Sequence, residues 1–237
     1  MLRLEHVAWD LPGGSAIIKD INLQLEDRKL IVVTGPNGGG KTTLAKLIAG
    51  VETLTSGRIV FDGEDITQMD VTLRAQKGIA YAFQQPVRFK GLTVRDLLEL
   101  SVGHALDEEM VCDLLGKVGL CANEYVDREL NASLSGGEIK RIEIASVLAR
   151  DAKLFLFDEP EAGIDLWSFQ NLIQVFEDLQ KKQQESIVII SHQERLLKIA
   201  DRIVVIEGGR VAAQGDAQKI LPDLLQQKPC CKAGRGC

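Results

Sequence analysis

Apolar and polar residues alternate through LRLEHVAW at 2–9 and again through INLQL at 21–25, the two-residue period of strands with one covered face. The run LIVVTG at 30–35 is different: four successive apolar residues predict a strand buried on both faces. It leads straight into GPNGGGKTT at 35–43 and then TTLAKLIAGV, whose apolar positions recur at helical spacing. Strand and turn signals follow in SGRIVFDGEDI, and a further strand in GIAYAFQQP. From about 93 to 150 the period becomes that of helices, in TVRDLLELSVG, EEMVCDLLGKVGL and EIKRIEIASVLARD. Strand and helix then alternate once more: LFLFDE at 154–159, WSFQNLIQVFEDLQKK, SIVIISH at 186–192, a helix, and the ribbon RIVVIEGGRVAAQG. The pattern predicts one α/β domain over 1–237, with a core lobe at about 1–86 and 150–220 and a helical lobe inserted at about 87–149.

Composition narrows the classes of function. The chain of 237 residues is 45% hydrophobic, enough for a sizeable core, and carries a net charge of −6 with no Lys/Arg stripe, which argues against a nucleic-acid partner. It contains no stretch of eighteen apolar residues and no leader pattern at its start, so it is expected in the cytoplasm, without inserting into a membrane itself. Five cysteines do not form a disulfide framework. Cys112 and Cys121 are expected to be small buried residues, whereas Cys230, Cys231 and Cys237 crowd a tail, 226–237, that lacks an apolar period and is expected to be mobile. Three soft ligands leave metal capture open as the other reading of that tail.

Two segments have the form of a glycine turn feeding a helix start, the arrangement that offers free N–H groups to an anion. In the first, Gly35, Pro36, Asn37, Gly38, Gly39, Gly40, Lys41, Thr42 and Thr43 match G-x-x-x-x-G-K-T between a strand and a helix. Backbone N–H groups there curl around phosphates, the Lys41 ammonium neutralises their oxygens, and the Thr42 hydroxyl can ligate magnesium. The second is LSGGEIKRIEI at 134–144, where Ser135, Gly136, Gly137 and Glu138 open a helix. The strand LFLF delivers Asp158 and Glu159 to the sheet rim, the first suited to magnesium and the second to polarising water. His192 and Gln84 also follow apolar strands, at the strand ends where open α/β sheets bind ligands. Gln84 offers a neutral amide to both metal and water.

With these elements in order, roughly residues 2–220 resemble the ATP-binding cassette family. GPNGGGKTT looks like its Walker A loop, Gln84 its Q-loop, LSGGE its signature, LFLFDE its Walker B strand, Ala162–Asp165 its D-loop and His192 its switch histidine. The resemblance implies a phosphate-loop ATPase fold: a mixed sheet, an antiparallel N-terminal β part and an inserted α-helical subdomain. It also implies ATP and Mg2+ as cofactors, and an ATP-dependent homodimer. In such a dimer Ser135 and Gly137 of one copy close over the phosphate held by the other, and Gly136, Glu138 and Asp165 are implied as further nucleotide-binding residues. Where the family often stacks adenine on an aromatic residue this chain has Leu11, with Trp9 two positions earlier, and Gly39 replaces a common Ser, which should loosen the loop.

Transporter cassettes mostly read LSGGQ followed by further glutamines; here Glu138, Lys140 and Glu143, with DEPEAGID, resemble SufC-like cassettes that power iron-sulfur cluster assembly on SufB- or SufD-like scaffolds. The alternative is the nucleotide-binding subunit of a membrane transporter, with transmembrane partner subunits, for which FKGLTVRDLL at 89–98 is a suitable groove lining. Lys140 is expected to face Glu159 and draw its carboxylate from the nucleotide, a latch released by partner docking.

Overall fold

The computed structural model describes residues 2–131 and 133–226. The tail bearing Cys230, Cys231 and Cys237 lies outside these described residues. In chain order the elements are β1 Leu2–Asp10, β2 Ala16–Leu25, β3 Leu30–Thr34, α1 Lys41–Ala49, β4 Ser56–Phe61, β5 Glu64–Asp65, α2 Val71–Gln76 and β6 Ile79–Ala82. A helical segment follows: α3 Val94–Val102, α4 Glu108–Lys117, α5 Ala122–Tyr125 and α6 Gly136–Leu148. The chain then returns to the sheet through β7 Leu154–Asp158, α7 Leu166–Lys182, β8 Ser186–Ile190, α8 Glu194–Ile199, β9 Arg202–Glu207, β10 Arg210–Asp216 and α9 Ala217–Gln226.

Two sheets result. The smaller is antiparallel in the order β2-β1-β4-β5; the larger runs β10-β9-β3-β8-β7-β6, parallel except where β10 turns back on β9. The central strands have apolar side chains on both faces, so their odd and even positions divide between two cores. Ile31 and Val33 of β3, Leu154 and Leu156 of β7, and Val188 and Ile190 of β8 pack with α1 and the antiparallel sheet. Their neighbours Val32, Phe155, Phe157, Ile187 and Ile189 face the other way, into a core shared with α7, α8 and the helices of 94–148.

One consequence of parallel pairing governs the rest. Because β3, β8, β7 and β6 are adjacent and run the same way, their C-terminal ends open onto one edge. That edge receives the loop at 35–40, Ser191 and His192, Asp158 and Glu159, and Phe83 and Gln84. Cys112 and Cys121, expected inside, are exposed. Cys112 falls on the outer side of α4, whose buried positions are Val111 and Leu115, and Cys121 sits in the turn before α5.

Candidate functional site

The edge carries a cavity of about 580 Å3 lined by residues 37–43 together with Trp9, Leu11, Ile17, Gln84, Glu159 and His192. The sheet therefore gathers residues scattered over more than 150 positions of sequence around one hollow. The loop is shaped by close approach: a Cβ on Gly35 would lie 2.0 Å from the Ile206 carbonyl oxygen, and one on Gly39 would lie 2.9 Å from the same atom and 3.0 Å from the Pro36 oxygen. Gly39 is thus required by the end of β9 rather than a source of looseness, which corrects the expectation from sequence. Lys41 is buried and donates to the carbonyl oxygens of Gly35 and Pro36, both at 2.9 Å. Desolvation lowers its pKa, opposed by the nearby carboxylates of Glu159 and Asp158.

Asp158 is fully buried at the end of β7. Its Oδ1 accepts from the Thr42 hydroxyl at 3.1 Å and its Oδ2 from the Tyr81 hydroxyl at 3.2 Å. Burial raises its pKa, and those two donors work against the rise. Glu159, the next residue, has φ 45°, an unusual left-handed conformation for a non-glycine side chain, and its N–H donates to Ile190 O at 2.9 Å. The kink sends successive side chains in different directions, Asp158 into the protein and Glu159 into the cavity. There Glu159 Oε2 accepts from Gln84 Nε2 at 2.8 Å.

The donor set fits magnesium. Thr42, Asp158 and Gln84 offer hydroxyl, carboxylate and amide oxygens, the hard ligands this ion prefers. No group of three or more His, Cys, Asp and Glu among the described residues is placed to hold a metal ion.

The second glycine turn lies away from this cavity. Ser135 caps α6 in a reciprocal capping box: its Oγ accepts from Glu138 N at 3.2 Å, and Glu138 Oε2 accepts from Ser135 N at 2.7 Å. The Tyr125 hydroxyl donates to Glu138 Oε1 at 2.5 Å, and Arg128 stacks over the Tyr125 ring. The Tyr125 bond, then those of Ser135, depress the Glu138 pKa to about 2. Glu138 is therefore committed to holding the turn, and the N–H groups of Gly136 and Gly137 remain at the helix start without a side-chain cap. A Cβ on Gly137 would meet Gly163 O at 2.7 Å, so the signature turn seats directly on 162–165. Asp165 caps α7, accepting from the backbone of Trp167 and Ser168 at 3.0 Å each and from Ser168 Oγ at 2.6 Å.

Lys140 does not pair with Glu159. It is fully buried and donates to Phe83 O, to Gln84 O at 3.4 Å and to Glu143 Oε2 at 3.2 Å, while Glu143 Oε1 accepts from Phe83 N at 2.9 Å. The latch expected from sequence is replaced by a brace: α6 grips both backbone groups of Phe83, its N–H through Glu143 and its carbonyl through Lys140, just before Gln84. Glu143 went unnoticed in the sequence as the partner of Lys140, where Glu159 was expected, although residues three apart on one helix share a face, and that spacing is the signal that could have found the pair. Its grip on 83–84 depends on tertiary packing. Tyr81 also went unnoticed; one aromatic residue in an apolar strand has no sequence signature of a polar role.

A parallel sheet with phosphate loop, acidic strand end and glutamine at one edge defines a P-loop nucleotide hydrolase. The ABC transporter family profile matches residues 18–162. An uncharacterized ABC transporter ATP-binding protein of Methanocaldococcus jannaschii is 38% identical over 216 residues, spanning 88% of this chain and 86% of that one. A probable ATP-dependent transporter, ycf16, of Antithamnion sp. is 32% identical over 218 residues, 86% of each chain. In fold, the dimeric post-hydrolysis structure of an ATP-binding cassette bound to ADP and Pi superimposes with TM-score 0.82 at 22% identity, covering 92% of this chain and 99% of that one. The chain belongs to the ABC transporter family and is an ATPase that uses ATP with Mg2+.

Proposed function

We propose that the chain is the ATP-hydrolysing subunit of an ABC transporter, acting in the cytoplasm as an ATP-dependent homodimer docked to a membrane partner. The observation that carries this reading is Gln84. Its amide reaches the Glu159 carboxylate at 2.8 Å, its backbone is braced by Lys140, and the segment it opens lines a groove of about 240 Å3 walled by Tyr81, Phe83, Val87, Phe89 and Leu97. Val87 and Phe89 are exposed apolar residues on that wall, a place for a partner's apolar segment. The names of the relatives, an ABC transporter ATP-binding protein and an ATP-dependent transporter, support the same reading. No helix among the described residues is long and apolar enough to cross a membrane.

In this proposal residues 35–43 hold the phosphates, with Lys41 released from its two carbonyl acceptors to meet the β- and γ-oxygens. Thr42, Asp158 and Gln84 would hold the magnesium ion, which would supply charge neutralisation when bound. Glu159 polarises the attacking water and His192, exposed on the same cavity, contacts the γ-phosphate. Ser135, Gly137 and Asp165 of the second copy close over the nucleotide and exclude solvent. Trp9 and Leu11 both line the cavity and offer the base an apolar wall.

A second reading, a SufC-like ATPase serving a SufB- or SufD-like scaffold, is favoured by the buried Lys140–Glu143 pair, with Lys140 standing where transporter cassettes mostly carry glutamine. Purification of the tagged chain from its native host separates the two. A multi-span membrane protein recovered in stoichiometric amount supports the transporter, a soluble scaffold supports the second reading, and failure of ATP to shift the chain toward dimer on gel filtration counts against both.

A further inference from the structure

Tyr81 is the one aromatic hydroxyl that touches the acidic strand end, and nothing in the reaction outlined above uses it. It lies on β6 opposite Leu156 of β7, and its side chain runs diagonally along the shared face to Asp158, two residues on. The Tyr81 hydroxyl donates to Asp158 Oδ2 at 3.2 Å while Thr42 donates to Oδ1 at 3.1 Å, so the carboxylate is held from both sides. Its ring is held in turn: the Tyr81 and Phe83 centroids lie 4.6 Å apart, tilted at 53°.

The two donors differ in one respect. Thr42 would hold the magnesium ion through a lone pair of its hydroxyl oxygen, which leaves its proton free to go on donating to Oδ1 and keeps that oxygen on the metal side. Tyr81 has no such second duty. We propose that Tyr81 is a positioning residue for magnesium: by fixing Oδ2 it leaves Oδ1 as the oxygen presented toward the ion and its water. A carboxylate held at both oxygens is already oriented, whereas one that has lost its Oδ2 donor turns to seek another and binds the metal shell less well. The inference rests on the Mg-ATP reading of the site.

The test is Tyr81→Phe, which removes one oxygen and keeps the ring packed on Phe83. Manganese binding in the presence of saturating ATP, followed by electron paramagnetic resonance in a Glu159→Gln background to prevent turnover, reads the metal directly. Binding of a fluorescent ATP analogue in EDTA reads the nucleotide without it. The expected result is a metal affinity lowered about tenfold, with metal-free nucleotide binding and melting temperature unchanged. In the otherwise wild-type chain, the magnesium concentration for half-maximal ATPase should rise by a similar factor, with kcat recovered at high magnesium. Unchanged manganese affinity overturns the proposal. So does a parallel loss of metal-free nucleotide binding, which would make Tyr81 a general support of the fold, or a kcat that high magnesium does not restore.

Discussion

Replacing Lys140 by Met removes the brace while keeping an unbranched side chain of similar length in its place. In the wild type the ammonium makes three contacts: two with the carbonyls of Phe83 and Gln84, and one with Glu143, whose side chain is only 14% exposed. Taking away one member of such a buried pair leaves a carboxylate without its counterion, a loss of about 3–5 kcal/mol in comparable cases. Burial already raises the Glu143 pKa, with Lys140 and the Phe83 N–H opposing it. Without Lys140 the folded-state pKa rises further above the unfolded value. A raised acid pKa means that the stability is intact below the unfolded pKa and declines as pH climbs to the folded one. The deficit of Lys140→Met relative to wild type should therefore be smallest near pH 4.5 and grow toward neutrality. Urea unfolding at pH 5 and pH 8 measures it. The double variant Lys140→Met/Glu143→Gln, which keeps an acceptor for the Phe83 N–H but no charge, should recover about 1–3 kcal/mol of the loss at pH 8. A single variant as stable as wild type at pH 8, or a deficit equal at the two pH values, would refute the argument.

Glu159→Gln should retain ATP binding while turnover falls about a hundredfold or more, and should accumulate as a dimer with ATP on gel filtration; near-normal turnover would remove Glu159 from its role. Gly39→Ala should cost about 1–3 kcal/mol by thermal unfolding and weaken nucleotide binding, because the added methyl meets the Ile206 and Pro36 oxygens at 2.9 and 3.0 Å. Glu138→Ala should lower stability by about 1 kcal/mol at pH 7 through loss of the capping box. Since the Glu138 pKa is depressed to about 2, the benefit of its charge is present above the ordinary carboxylate pKa and fades as pH falls, so melting curves of variant and wild type should converge in acid.

What sequence could and could not reveal here follows from the range of the forces involved. Apolar periodicity is local, so β3, β7 and β8 and the long helices were legible, as were the glycine turns that lead out of strands into helices. Short α2 and α5 carry too little apolar period to be seen; α2 is held by its Asp70 cap, whereas α5 starts at Cys121 without a side-chain cap. The cavity residues were legible for a deeper reason: parallel strands deposit their C-terminal residues on one edge, so a residue just after an apolar strand is already placed relative to the others. That logic finds Lys41, Gln84, Glu159 and His192 and says nothing of side chains within a strand, which is why Tyr81 escaped it. It also explains the failure of the Lys140 latch. Lys140 and Glu159 were paired by nearness of their elements, but Glu159 leaves β7 with a positive φ and turns toward Gln84, while Lys140 enters the sheet edge one strand over, at Phe83. The two charges end on opposite sides of one residue: Lys140 holds the backbone of Gln84, Glu159 holds its amide. A displacement of the segment from Phe83 onward must therefore strain a buried ion pair at one end and move the Glu159 carboxylate, to which the proposed function gives the attacking water, at the other. This makes Gln84 the place where an occupied groove would alter the rate of hydrolysis.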